Sequence, residues 1–124
     1  MYEKFSDLLG KTLVNIANIE NETLIFTVAD GGAYKLFHEQ DCCENVTIDD
    51  ICGDLAHLIG MPILIAEEVT SDTNPADAKI DTKWQESFTW TFYKLATNRG
   101  AVTIRWYGES NGYYSESVDF ERIA

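Results

Sequence analysis

Two runs of alternating side chains in the C-terminal third constrain the fold most. Each run places large apolar residues at every second position, and these residues are Phe88, Trp90 and Phe92, then Val102, Ile104 and Trp106. A period of two with aromatic and β-branched side chains is typical of β-strands. Asn98-Arg99-Gly100 lies between the runs and predicts a hairpin turn that joins them.

A second turn signal follows these runs. Asn111-Gly112 is the strongest two-residue hairpin pattern in the chain. It precedes a third run in which every second residue would share one face of a strand: Tyr114, Glu116, Val118 and Phe120. We therefore predict an antiparallel meander in which residues 86–96, 101–107 and 113–121 are consecutive neighbours.

The first two thirds of the chain carry weaker strand patterns. Val14 and Ile16 alternate with a polar residue, and residues 22–38 hold two extended runs on either side of Asp30-Gly31-Gly32. That tripeptide predicts another hairpin. Residues 62–69 are predicted to form a buried strand, and a polar, mobile loop is expected over residues 71–83.

Two segments predict helices. Residues 3–9 favour a short N-terminal helix, because their apolar residues lie on one side and a glycine follows. Between Ile48 and Ile59 the apolar residues recur at spacings of three and four, which predicts one central helix. The expected fold class is α+β, with a mainly antiparallel sheet and these two helices. A single domain is expected over residues 1–124.

Targeting patterns and cysteine usage indicate a cytoplasmic protein. The first five residues lack a basic segment followed by an apolar run, and the longest apolar stretch, residues 61–66, is too short to cross a bilayer. The three cysteines are an odd number, and a disulfide between the adjacent Cys42 and Cys43 would be unusual. We therefore expect reduced thiols at Cys42, Cys43 and Cys52, and no membrane association.

Acidic residues dominate the charge. The chain has 21 acidic and nine basic residues, a net charge of −12, which argues against direct binding to nucleic acid or anionic membranes. No Lys or Arg lies between Lys35 and Lys79. We hypothesise that acidic residues of this interval form a face for a basic protein partner; they are Asp41, Glu44, Asp49, Asp50 and Asp54. In the alternative, folding disperses them and brings Lys79, Lys83 and Arg105 alongside.

A second candidate surface surrounds the predicted C-terminal hairpin. It combines aromatic, amide and basic side chains, which suit contact with a partner or ligand; they are Arg105, Tyr107, Asn111, Tyr113 and Tyr114. Strands and turns favour the same residue types for structural reasons. The alternative function is therefore binding of a small molecule or nucleotide signal, with Arg99 or Arg105 facing phosphate.

No residue pattern predicts a catalytic centre. His38, Cys42, Cys43 and Glu44 lack the spacing of zinc ligands. Acidic surroundings disfavour the thiolate that a Cys–His pair with His38 or His57 would need. Adjacent residues on a strand point to opposite faces, so Glu67 and Glu68 do not form a cooperating pair. We expect no enzyme activity, no cofactor and no metal, and a cysteine-dependent enzyme is the third hypothesis.

Several longer strings resemble a known family. The strings are Asp41-Cys42-Cys43-Glu44, Trp90-Thr91-Phe92-Tyr93-Lys94-Leu95-Ala96-Thr97, and Thr103-Ile104-Arg105-Trp106-Tyr107-Gly108 followed by Ser110-Asn111-Gly112-Tyr113-Tyr114-Ser115. They are similar to a family of small proteins of unknown function found in bacteriophages and prophages, over about residues 9–121. The resemblance implies a phage accessory protein in the host cytoplasm that binds a host or phage protein, for example as an inhibitor of host defence. It carries over no catalytic residues.

Overall fold

A computed structural model describes residues 3–78 and 80–124. Within these residues the regular structure consists of strands and two 3-10 turns. The strands are β1 (Leu13–Ile19), β2 (Thr23–Val28), β3 (Ala33–Phe37), β4 (Asn45–Cys52), β5 (Ile65–Ser71), β6 (Ser87–Thr97), β7 (Gly100–Ser110) and β8 (Asp119–Arg122). The 3-10 turns are Phe5–Leu8 and Leu55–Leu58.

The strands form two four-stranded antiparallel sheets. Sheet I has the order β1-β2-β3-β8, and sheet II has the order β4-β7-β6-β5. Buried side chains of both sheets share one hydrophobic core, which Phe26 joins from sheet I and Trp106 from sheet II. Phe5, in the N-terminal turn, packs between Tyr93 and Phe120, with ring centroids 4.6 and 5.3 Å away. This ring therefore links the two sheets.

The predicted α+β class is wrong, because the central helix does not form. Residues 45–52 are strand β4, and β-branched side chains such as Val46 and Ile48 favour that extended backbone. A bulge between Ile48 and Asp50 shifts the register by one residue. Because of this shift, Ile48 and Ile51 both face the core although they lie three residues apart, and that spacing resembles a helical period. The N-terminal helix is likewise only a 3-10 turn. The described part of the chain contains no helix long and apolar enough to cross a membrane.

Two of the predicted hairpins are confirmed. Strands β2 and β3 pair from Thr23 with Phe37 to Thr27 with Ala33. Asp30 Oδ1 accepts a hydrogen bond of 2.8 Å from the Gly32 N–H in the turn. Strands β6 and β7 pair along their whole length across the Asn98-Arg99 turn.

The prediction that the third strand of the meander pairs with β7 is wrong. Residues 111–118 leave sheet II, and β8 pairs with β3 in sheet I. Strand β4 takes the edge of β7 that the third strand was predicted to occupy. The crossing is close: a Cβ on Gly108 would lie 2.7 Å from the Glu116 carbonyl oxygen. We call residues 111–118 the crossing segment.

The predicted strand over residues 62–69 forms as β5, but it is not buried. It is an edge strand of sheet II, and Ala66 is its one buried residue. Within the predicted loop, residues 71–83, the Asn74 and Asp77 side chains contact sheet II, and the mobility of the loop stays a prediction.

Candidate functional site

The side of sheet II opposite the core carries a buried polar network. Trp90 is fully buried there and its ring centroid lies 4.6 Å from that of Tyr107. Asn74 accepts a hydrogen bond of 2.9 Å from Trp90 Nε1 and exchanges two hydrogen bonds with Gln85. Gln85 Nε2 donates to the Tyr107 hydroxyl over 2.5 Å. These contacts hold the loop between β5 and β6 on the sheet.

Arg105 belongs to the same network. Its Nε and Nη2 atoms donate to Asp49 Oδ2 over 2.8 and 2.6 Å, and its Nη1 atom donates to Asp77 Oδ1 over 2.9 Å. Burial opposes the charge on Arg105, but the hydrogen bonds to Asp49 and Asp77 outweigh it and raise the Arg105 pKa. Arg99 donates instead to the Ile59 carbonyl oxygen. The nucleotide hypothesis needs Arg99 or Arg105 to bind a phosphate, but both guanidinium groups already have hydrogen-bond partners within the protein.

The predicted acidic face does not gather five exposed carboxylates. The Glu44 and Asp49 side chains are 0% and 2% exposed. Asp41 and Asp54 are exposed, and Asp50 is half-buried. Asp54 accepts a hydrogen bond from the Ala56 N–H at the start of the 3-10 turn Leu55–Leu58. Two of the five residues thus point inward, and a binding role for the others stays a prediction.

The alternative, in which Lys79, Lys83 and Arg105 lie beside these carboxylates, holds for Arg105. Arg105 pairs with Asp49, whereas the Lys83 Nζ atom lies 5.2 Å from the Trp84 ring centroid. Lys79 lies outside the described residues.

Glu44 organises the loop between β3 and β4. It accepts hydrogen bonds from His38 Nε2 at 2.8 Å and from the N–H groups of Asp41 and Cys42 at 2.9 and 2.8 Å. Burial raises the Glu44 pKa, but the hydrogen bonds from Cys42, His38 and Asp41 outweigh burial and lower it to about 2. His38 Nδ1 lies 2.7 Å from the Ser117 carbonyl oxygen, within hydrogen-bond distance, so this loop is tied to the crossing segment.

The expectation of three reduced thiols is wrong for two of the cysteines. Cys42 and Cys43 are joined by a disulfide, and Cys52 is free and exposed. The described residues contain no group of three or more His, Cys, Asp or Glu side chains arranged to hold a metal ion.

A cleft of 340 Å³ lies where the crossing segment passes over the core-side face of β6 and β5. Alternate residues of β6 line it with hydroxyl groups: Ser87, Thr89, Thr91 and Tyr93. Glu68 and Thr70 of β5 are the register partners of Tyr93 and Thr91 and continue this floor. Tyr114 and residues 115–118 form the opposite wall. We call this the hydroxyl cleft.

Two carboxylates border the hydroxyl cleft. Glu116 accepts a hydrogen bond of 2.8 Å from the Thr89 hydroxyl, and Glu68 accepts one of 2.7 Å from the Tyr93 hydroxyl. Burial raises the Tyr93 pKa, and the hydrogen bond and negative charge of Glu68 raise it further, so the phenol stays protonated. The ion pairs of the described residues include neither Glu68 nor Glu116.

A second cleft of 220 Å³ lies on the other side of Tyr114. Trp84, Glu86, Glu109 and Asn111 are among its lining residues. Trp84 and Tyr113 are 78% and 83% exposed, and the Tyr113 and Tyr114 rings meet edge to face with centroids 5.0 Å apart. We call the following residues the aromatic–acidic surface: Trp84, Glu86, Glu109, Asn111, Tyr113 and Tyr114.

The predicted aromatic hairpin is divided between two places. Arg105 and Tyr107 lie in the buried network, whereas Asn111, Tyr113 and Tyr114 lie on the aromatic–acidic surface. Asn111 Oδ1 accepts from the Tyr113 N–H at 3.0 Å and fixes the turn.

The sequence analysis missed Trp84 and the row of hydroxyls on β6. The alternation of Ser87, Thr89, Thr91 and Tyr93 is visible in the sequence and was the available signal for the cleft.

Comparison with known protein families gives a match over residues 6–120, to a domain of unknown function (DUF7448). No curated protein and no solved structure matches the chain. The family match covers most of the chain, including both clefts.

Proposed function

We propose that this chain, which belongs to the family described as a domain of unknown function (DUF7448), acts by binding a protein partner with a basic surface. The contact is the aromatic–acidic surface. One observation carries the proposal: Trp84, which lines an acidic cleft, is 78% exposed, and Tyr113, the neighbour of the lining residue Tyr114, is 83% exposed.

Exposed aromatic rings favour a protein contact. Covering a large apolar side chain contributes roughly 1.5–3 kcal/mol relative to leaving it in water. Tryptophan and tyrosine dominate binding energy at protein interfaces, because their rings bury large areas and keep a polar edge for hydrogen bonds. Two hydrogen bonds within the turn preorganise Tyr113 and Tyr114: Asn111 accepts from Tyr113, and Ser110 accepts from the Gly112 N–H at 3.0 Å.

The charge of the surface favours a basic partner. Glu86 and Glu109 line the cleft, and no lysine or arginine is among the described residues that line it. Lys83 lies over one side of Trp84, but the chain as a whole carries a charge of −12. A partner with Arg or Lys residues would pair with these carboxylates and stack on the exposed rings.

The resemblance to proteins of bacteriophages and prophages supports a cellular location and a class of partner for this contact. In the proposal, the protein is a phage or prophage accessory protein in the host cytoplasm, and its partner is a host or phage protein. Interference with a host defence protein is the specific role to test.

Photo-crosslinking tests the contact. A photoreactive amino acid at position 113 should crosslink to one partner in host cells. The purified partner is then titrated against the wild type, Trp84→Ala and Tyr113→Ala. We expect each variant to weaken binding at least about tenfold, as loss of a central aromatic residue does, and added salt to slow association.

Ile19→Ala is the matched control, because Ile19 is 51% exposed and lies on sheet I. It should leave the affinity unchanged. A partner that binds both aromatic variants as tightly as the wild type would overturn the proposal.

A further inference from the structure

We propose that the disulfide between Cys42 and Cys43 is a redox site that a dithiol reduces, and that its reduction loosens the aromatic–acidic surface. This regulation deepens the proposed function and rests on it, because it acts at the same surface. The structural change itself takes place within this chain and can be measured without a partner.

The disulfide lies at the edge of the aromatic–acidic surface and is open to solvent. Cys42 and Cys43 are both exposed, and Cys43 lines the 220 Å³ cleft together with Trp84 and Tyr114. Exposed disulfides are typically the labile or regulatory ones, because a thiol can reach them. In the cytoplasm, the location proposed above, disulfides are usually transient and redox-sensing. A change at this bond therefore acts directly on a wall of the cleft.

The hydrogen bonds of Cys42 connect the disulfide to the crossing segment. The Cys42 N–H donates to Glu44 Oε1 over 2.8 Å. Glu44 is buried and contacts His38 Nε2, and the other ring nitrogen of His38 lies 2.7 Å from the Ser117 carbonyl oxygen. A displacement of Cys42 is therefore transmitted through two side chains to the segment that carries the exposed tyrosines of the surface.

Reduction removes a covalent constraint from this loop. The bond closes a small ring through the backbone of two adjacent residues, Cys42 and Cys43, and so restricts both side chains and the peptide between them. Sulfur atoms that are no longer bonded stay farther apart than bonded ones, so one of the two side chains has to move. A preorganised surface binds more tightly, because it loses less conformational entropy. We therefore expect the oxidised protein to be the form that binds the partner.

The exchange balances as a two-electron reduction by a dithiol. A thiolate of the dithiol attacks Cys43 Sγ, which lines the cleft; the sulfur–sulfur bond breaks, and the Cys42 sulfur leaves as a thiolate that takes up a proton. The second thiolate of the dithiol then attacks the dithiol sulfur of this mixed disulfide. The Cys43 sulfur leaves and takes up a proton, and the reductant departs as a cyclic disulfide. The protein gains the two electrons and two protons that the dithiol loses.

Amide hydrogen exchange of the full chain, before and after treatment with dithiothreitol, tests this regulation. Alkylation and mass spectrometry count the thiols in each sample. We expect exchange over residues 41–44 and 111–118 to become about tenfold faster on reduction, as for loss of the constraint of one hydrogen bond. Strands β1 and β2 should keep their exchange rates. Oxidised glutathione should restore slow exchange in both segments.

Cys52→Ser is the matched control, because it removes a cysteine that is exposed but free. It should respond to dithiothreitol as the wild type does. The double variant Cys42→Ser, Cys43→Ser should exchange at the rate of the reduced wild type and should not respond. Unchanged exchange over residues 111–118 on reduction, or equal acceleration in all strands, would overturn the proposal. So would cysteines that stay reduced in oxidised glutathione.

The partner captured through position 113 separates this regulation from the proposed function. It should bind the oxidised protein about tenfold more tightly than the reduced protein. Equal affinity for both redox forms would overturn the regulation and leave the proposed function standing. Failure to capture any partner would contradict the proposed function, whereas hydrogen exchange would still report whether reduction loosens the surface.

Discussion

Arg105 donates two hydrogen bonds to one carboxylate oxygen of Asp49, and both side chains are nearly excluded from solvent. Asp50, not Asp49, is the register partner of Arg105 on β4. The bulge between Ile48 and Asp50 is what places the Asp49 carboxylate against the guanidinium. The pair therefore depends on an irregularity in strand pairing.

Removing the charge of Asp49 should destabilise the protein strongly. Asp49→Asn leaves a buried guanidinium with one partner fewer, and we expect a loss of about 3 kcal/mol in the free energy of unfolding. Asp77 contacts the same guanidinium, but its side chain is 75% exposed. Asp77→Asn should cost less than about 1 kcal/mol. Urea unfolding measures both, and equal losses would contradict this view of the network.

Glu44 should make stability sensitive to acid. Its pKa is lowered from 4.5 to about 2 in the folded protein. The stability that this shift contributes is present above the unfolded pKa and is lost as the pH falls from about 5 towards 2. Urea midpoints measured across this range should fall less steeply in Glu44→Gln, which should also be less stable at neutral pH. Glu39→Gln, an exposed neighbour, should keep the wild-type slope.

Gly108 should control the crossing segment. An alanine there would place its Cβ 2.7 Å from the Glu116 carbonyl oxygen. We expect Gly108→Ala to cost about 1–3 kcal/mol and to speed amide hydrogen exchange over residues 113–118. In Gly60→Ala the added Cβ has no atom within 4 Å, but the φ of +88° strains an alanine, so this variant controls for a loss of stability and should not speed exchange selectively over residues 113–118. Similar exchange in Gly108→Ala and wild type would disprove the close crossing.

The cysteines should differ in reactivity. Protein purified without reductant and alkylated under denaturing conditions should gain one label, on Cys52, because Cys42 and Cys43 are disulfide-bonded. Reduction before alkylation should raise the count to three, as read by mass spectrometry. Cys52→Ser should take no label without reduction, and three labels on unreduced wild type would refute the disulfide.

Trp84 should dominate fluorescence quenching. Trp84 is 78% exposed, whereas Trp90 and Trp106 are fully buried. Acrylamide should quench part of the wild-type emission, and Trp84→Phe should remove that accessible part. If the variant is quenched as readily as the wild type, Trp84 is not the exposed ring, and the aromatic–acidic surface loses its central contact.

Local patterns were sufficient for the hairpins. The glycine-containing turns at residues 30–32 and 98–100 lie between alternating runs, and each run pairs with its neighbour in sequence. The same reasoning failed for β4, because a bulge turned alternation into an apparent helical spacing. For the candidate site, the charge pattern did not indicate His38 as the partner of Glu44, whereas the alternative interpretation did place Arg105 beside the acidic residues that include Asp49.

By itself, the sequence determined where strands and turns form over residues 23–37 and 87–110, because alternation and turn residues act over a few neighbours. Only the tertiary structure decided that β8 pairs with β3, because β4 occupies the edge of β7 that β8 would otherwise have used. Because β8 pairs in sheet I, residues 111–118 cross the face of sheet II, and the hydroxyl cleft lies beneath them. Pairing between strands that are distant in sequence depends on which strand edges are free, and a pattern of neighbouring residues does not specify which edges those are.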